Sequence, residues 1–231
     1  LATVLRRHSA YRISAEQIQE FLEAFQQETG LDSGELWAFV DMLKVALLRA
    51  VSTLARQCVS ILSLWRAAER FCERAGREGA QIDALLTEYK SYLTSAVFIE
   101  HAIVLLRENS KAAEITERIS ARLSVRDLTV ERLVKQAHAL QAKSILYISN
   151  AISSLRTLAK LNFEPLFESV SLVHKYLTAD EDYANMDYDS REYYRKGITA
   201  IAQALQASEP AVARAAADMA KRNGIHVGEY I

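Results

Sequence analysis

The chain has 231 residues, half of them hydrophobic and a quarter charged, with a formal net charge of −1. That balance provides no global basic field for nucleic acid or anionic lipid, and no apolar run approaches the ~18 residues of a membrane span. Seven Gly and two Pro are too few for the tight turns of an all-β protein, while abundant Ala, Leu, Arg, Glu and Gln favour helix; the sequence reads as all-α.

The stretch "SAEQIQEFLEAF" predicts the first helix. Ser14 caps it, Gln17 reaches back, and Ile18, Phe21, Leu22 and Phe25 form one apolar stripe. Gly30 stops it, and Asp32 with Glu35 caps the next. From Leu36 through Val40, Leu43, Leu47, Val51, Leu54, Cys58, Ile61, Trp65 and Ala68 to Cys72, apolar or small residues recur in steps of three and four. That pattern predicts one helix over about 36–73, ~55 Å long at 1.5 Å per residue. Gly76 and Gly79 end it. Cys58 and Cys72 then lie ~21 Å apart along the axis, beyond disulfide reach. Both read as buried core thiols of a reducing compartment, and Trp37 and Trp65 as core aromatics.

A third helix is predicted over about 82–106 with a break near Ser91, then a shorter one over 112–123. Asp127 or Thr129 caps a second long helix over about 130–161, its register set by Leu133, Ala137, Leu140, Ser144, Ile148, Ala151, Leu155 and Leu158. Asn162 caps "FEPLFESVSLVHKYL", read as a single helix that tolerates Pro165 in its first turn. Asp189 and Glu192 form the capping box of a helix through Leu205. Ser208 and Pro210 start the last helix, and Asn223-Gly224 end it. The expected architecture is an elongated multi-helix bundle forming one domain across 1–231, and the start at Leu1 suggests an excised piece.

Asp180-Glu181-Asp182 and Asp187-Tyr188-Asp189 match the D-x-D pattern with which nucleotide-sugar transferases hold Mg²⁺ or Mn²⁺. That pattern belongs at the end of a buried strand, and no strand is predicted, so these read as loop carboxylates and a cap. The five histidines show no zinc spacing. Phosphate-loop and nucleophile-elbow motifs are absent, and the mixed-sign "ERFCERAGRE" reads as an exposed helix end. No catalytic, cofactor or metal residue is assigned. The stretch "YANMDYDSREYYRKGI" (183–198) is the exception to this plainness. Arg191 and Arg195, four apart on one helical face, either bind Asp187 or Asp182 and lock the loop over the helix start, or join the tyrosines in recognising carbohydrate or phosphate.

This stretch, followed after one more helix by "HVGEYI", resembles the N-terminal region of bacterial cyclic β-1,2-glucan synthases, with their Tyr-Ala-x-Met-Asp…Thr/Ser-Arg-x-x-Tyr-Arg and His-Val-Gly-x-Tyr patterns. "NAISSLRTLAKLNFEPLFESVSLV" and "LDSGELWAFVDMLKVALLRAVSTLA" carry the likeness upstream; residues 72–132 match in helical pattern alone. The family often has Asp-Pro-Ala-Gly where this chain reads Ala179-Asp180-Glu181-Asp182. The resemblance implies a large multidomain glycosyltransferase of the bacterial inner membrane that uses UDP-glucose with Mg or Mn to build and cyclise β-1,2-glucan. It implies that this segment is a non-catalytic helical scaffold on the cytoplasmic face, whose partners are the remaining domains of the same polypeptide and the nascent glucan, with no nucleic acid. Asp187, Arg191, Tyr194 and Arg195 are its candidate docking or ligand contacts. The alternative is a free-standing helical protein-interaction module with no carbohydrate connection.

Overall fold

Polar caps cut the chain into more helices than apolar periodicity reveals. The computed structural model describes all 231 residues; it is 78% helical, with twelve α-helices and no strand, as the all-α reading requires. Helix α1 (Ala2–His8) precedes the first predicted helix and has no side-chain cap to announce it. Helix α2 (Ala15–Gln26) has the expected capping box, with both the Ser14 and Gln17 bonds formed. The first long helix, α3, spans Ser33–Gly76. The predicted third helix divides into α4 (Ile82–Glu88) and α5 (Ala96–Leu106), because Ser95 caps the second piece through the Phe98 N–H. Helix α6 (Ala112–Ser124) leads to the second long helix, α7 (Val130–Lys160), where Thr129 rather than Asp127 supplies the cap.

The segment read as one helix after Asn162 is two, α8 (Phe163–Val170) and α9 (Leu172–Leu177). Buried Ser171 sits between them in extended conformation and caps the second through the His174 N–H. A one-turn helix, α10 (Glu181–Ala184), follows under an Asp180 cap. Helix α11 (Tyr188–Leu205) is capped by Asp187, not Asp189. Asp187 accepts both the N–H and the O–H of Ser190, which leaves Asp189 in the first turn. Helix α12 (Glu209–Asn223) has Pro210 in its first turn and ends at left-handed Gly224, and Val227–Tyr230 form a closing 3₁₀ turn.

Backbone contacts group these elements into two compact units. One comprises Leu1–Arg49 with Asn150–Ile231, the other Ala50–Ser149, so α3 and α7 each contribute to both. In the unit of Ala50–Ser149, Phe71, Phe98, Ile99, Ile115 and Ile119 are fully buried. The Phe71 ring packs against Tyr89 at 5.4 Å and Phe98 at 5.8 Å. Arg74 closes the rim with a two-pronged bond to Glu88.

In the unit of Leu1–Arg49 with Asn150–Ile231, α2 packs on α8, and α12 packs on α9, α11 and the closing turn. The starts of α3 and α12 cap each other. Asp32 Oδ1 accepts the Glu209 N–H at 2.9 Å, while Glu209 Oε2 accepts the Ser33 N–H at 2.8 Å. The sequence placed Asp32 on its own helix; it serves the helix that starts 177 residues later. Each carboxylate also lies at the positive end of the other's helix.

The apolar stripes of the long helices are buried at their ends and open in the middle. Leu36, Leu43, Leu47 and Ala68 are fully buried, whereas Leu140 is 49% exposed. Cys72 is buried as expected, but Cys58 is exposed, which corrects its assignment to the core. Periodicity placed it on the packed face, and that face is uncovered there. No helix is long and apolar enough to cross a membrane.

The two thiols should therefore react differently. Burial pushes the Cys72 thiol up to about 11, whereas Cys58 meets solvent. Thiol titration of the folded chain at pH 8 should show one fast group, with a second appearing on unfolding. Cys58→Ser should remove the fast phase, and two equally fast thiols would contradict this burial.

Candidate functional site

The residues singled out by the sequence converge on α11, and their partners come from α8, α9, α10 and the closing turn. Arg191 and Arg195 project from successive turns of α11 onto one side chain of α8, Glu168. Arg191 Nη2 donates to Oε2 at 3.0 Å and Arg195 Nη1 donates to Oε1 at 3.0 Å. Arg195 also donates from Nε to Glu192 at 3.1 Å. These glutamates, and not Asp187 or Asp182, are the arginines' partners. Asp187 is occupied by its cap and remains exposed.

Arg195 is 2% exposed, and its guanidinium lies over the rings of Tyr188 at 4.9 Å and Phe167 at 5.4 Å. A planar guanidinium can stack and form a hydrogen-bonded fork at once, which an ammonium cannot. Burying this charge is tolerable because two carboxylates meet it. Its Nη1 also reaches Tyr183 Oη at 3.5 Å. The fully buried Tyr183 hydroxyl lies 3.2 Å from His174 Nδ1. Burial holds the His174 ring below its ordinary range, Arg195 and Arg191 add to that, and Glu168 opposes it. The ring and the phenol share one hydrogen bond at Nδ1. Burial likewise raises the Tyr183 phenol.

A second chain of bonds ties the closing turn to α10 and α11. His226 Nδ1 donates to the Asp180 carboxylate at 3.1 Å, and its Nε2 lies within hydrogen-bond distance of Tyr194 Oη at 3.0 Å. Asp180 also accepts the N–H groups of Tyr183 at 3.1 Å and Val227 at 2.7 Å. Burial pulls this carboxyl up, but the two amides and the His226 ring outweigh it and hold it below the usual range. Asp180 takes the place where the resembled family often has Asp-Pro-Ala-Gly, and here it is a joint between three segments.

Asp180, Asp182 and His226 place ligand atoms within 4.8 Å of one another, close enough in distance for a shared cation. Asp180 already accepts two amides and the ring N–H of His226. A cation would have to displace those donors, so the residues fit a joint better than a Mg²⁺ or Mn²⁺ site. Beside Tyr194 lies a shallow hollow of about 440 Å³ lined by Tyr193, Lys196, Gly197, Gly228 and Ile231. Gly228 is required there, since a Cβ would fall 2.7 Å from the Tyr194 ring. Tyr193, beside Tyr194 in sequence, is 77% exposed.

Three residues that complete the cluster, Glu168, His174 and His226, are not read as site residues in the sequence, and Glu192 is read there as part of a helix cap. Glu192 sits three residues before Arg195, a spacing that could have revealed the pair. Glu168 lies 23 and 27 residues from its arginines and leaves no local signal.

Two expectations follow. Arg195→Ala leaves Glu168 with Arg191 alone and takes from Glu192 its buried arginine; it should cost about 3–5 kcal/mol, and Arg195→Lys should restore little of it. In urea unfolding, the double variant Arg195→Met/Glu168→Leu should be less destabilised than Arg195→Ala; a greater loss would refute charge stranding as the cause. His174 gives a pH signature. Its folded value is depressed, so below about pH 6.5 the unfolded chain binds the proton more readily and stability falls. His174→Gln should flatten that slope between pH 7 and 5, and an unchanged slope would exclude His174 as its origin.

No family model matches the chain. The chain is 29% identical over 225 residues to the cyclic beta-(1,2)-glucan synthase NdvB of Rhizobium meliloti (strain 1021). The match covers 95% of this chain and 8% of that relative, so the chain spans less than a tenth of the relative's length. The likeness carried by the tyrosine-rich stretch and its upstream anchors thus extends along nearly the whole chain, as similarity to part of a cyclic β-1,2-glucan synthase.

Proposed function

We propose that this chain is a non-catalytic helical docking module of a cyclic β-1,2-glucan synthase, acting at the cytoplasmic face of the bacterial inner membrane. The enzyme it serves transfers glucose from UDP-glucose, with Mg or Mn, and closes the β-1,2-glucan ring. The remaining domains of that enzyme are its partners, and the nascent glucan is a ligand it helps to position. The observation that supports this most is the similarity to a glucan synthase across 95% of the chain.

The chemistry of the α11 cluster is consistent with that role. The arginines and Asp180 are engaged in internal bonds that brace several short segments. Docking contact then falls to the outward groups that this bracing aims, namely Asp187, Tyr194 and the neighbouring Tyr193. Arg191 and Arg195 act from behind as positioning residues.

A chimera tests the reading. Replacing the matched 225 residues of the Rhizobium synthase with this chain should preserve cyclic glucan production in cells. Tyr193→Ala in the chimera should lower production severalfold without lowering the enzyme's abundance. The isolated chain incubated with UDP-glucose and Mg²⁺ or Mn²⁺ should release no UDP. Clear turnover by the isolated chain would overturn the non-catalytic assignment. An abundant chimera that makes no glucan would overturn the docking module.

A further inference from the structure

Between Asp41 and Glu69 the chain has no acidic residue, although it contains 29 in total. Charges in that stretch of α3 are all basic, and within the unit of Ala50–Ser149 they are Arg56 and Arg66, with Arg70 just beyond. Nearby Arg74 and Arg77 pair with Glu88 and Glu73, whereas Arg56, Arg66 and Arg70 have no carboxylate partner.

The same stretch has a second stripe besides the one that packs. Ser52, Ala55, Val59, Leu62 and Arg66 follow steps of three, four, three and four, and all are exposed. Val59 is 66% exposed and Leu62 48%. Written as a heptad, they occupy successive a and d positions, while Arg56, Ser63 and Arg70 occupy the flanking e positions. Around Leu62 the surface is hollowed by about 430 Å³, between Val59, Ser63, Arg66 and Arg70. Small Ser52 and Ala55 let another helix approach closely, and the pairing of a β-branched a residue with a leucine d residue suits two-stranded packing.

Charge decides the occupant. A second copy of this seam would set arginine against arginine. A lipid surface would favour aromatic side chains at its boundary, and the seam has none. An acidic helix supplies what is missing on both counts: apolar residues for the a/d seam and carboxylates for the free guanidinium groups. We propose that the exposed Ser52–Arg66 seam of α3 is a docking site for an acidic amphipathic helix. It lies on a different unit from the α11 cluster and does not depend on the role assigned to that cluster.

The test uses two synthetic helical heptad peptides, each with Leu at a and d, one with Glu and the other with Lys at e and g. Binding to the whole chain is measured by calorimetry at low and high salt. The Glu peptide should bind at least about tenfold more tightly than the Lys peptide, and added salt should weaken it. Leu62→Glu and the pair Arg66→Glu/Arg70→Glu should each weaken it by about tenfold or more, with the helical circular dichroism unchanged. Equal binding of the two peptides, or undiminished binding by Leu62→Glu, would overturn the proposal. So would binding to phosphatidylglycerol vesicles lost in the same variants without peptide binding, which would assign the seam to lipid. Self-association abolished by Leu62→Glu would assign it to a second copy.

Discussion

One carboxylate, that of Glu168, organises the C-terminal half of the discontinuous unit. It takes a guanidinium from each of two successive turns of α11, and so fixes both the position and the rotation of that helix on α8. With α11 fixed, Tyr183 and Tyr194 find histidine partners on either side. Asp180 can then bind the backbone of the closing turn. The energetic logic is that of a buried charge cluster: its net contribution to stability is small, but removing one member leaves a desolvated neighbour short of a partner. Such a cluster selects one arrangement of helices over near alternatives that would bury a similar apolar area.

The short helices α8, α9 and α10 make this cluster possible. A continuous helix from Asn162 onward would carry Glu168 and His174 along one axis. The break at Ser171 redirects the chain while leaving few backbone groups unbonded, because the serine accepts the N–H that the new helix would otherwise strand. Asp180 and Asp187 repeat the device twice within the next sixteen residues. Three capped starts in quick succession let side chains from four segments meet around Arg195.

Periodicity revealed α2 and both long helices, because those elements are long and bury one face for most of their length; α12 was legible from the residues at its two ends. It could not reveal the break at Ser171, since Phe167, Val170, Val173 and Leu177 stay in helical spacing across it and all four are buried. It misplaced Cys58 for the converse reason: a stripe in register says which residues share a face, not whether anything covers that face. Arg191 does share a face with Arg195, as their spacing implies, yet the Asp187 carboxylate expected to meet it is consumed as a cap. The arginine looks instead to a residue far back along the chain. Local pattern locates helices well, and partner choice in a polar cluster is set by tertiary placement that no short window contains.

The mutual caps of Asp32 and Glu209 join residues 177 apart, and the intervening hundred residues from Ala50 to Ser149 form a compact unit of their own. On the ribosome the first forty-nine residues emerge without the helices they need, and they must wait while the inserted unit is synthesised, roughly 5–20 s at ordinary translation rates. The inserted unit can close on itself in that interval. The helices of the discontinuous unit are gathered only when the last of them appears, so the inserted unit can be finished before the unit that brackets it in sequence.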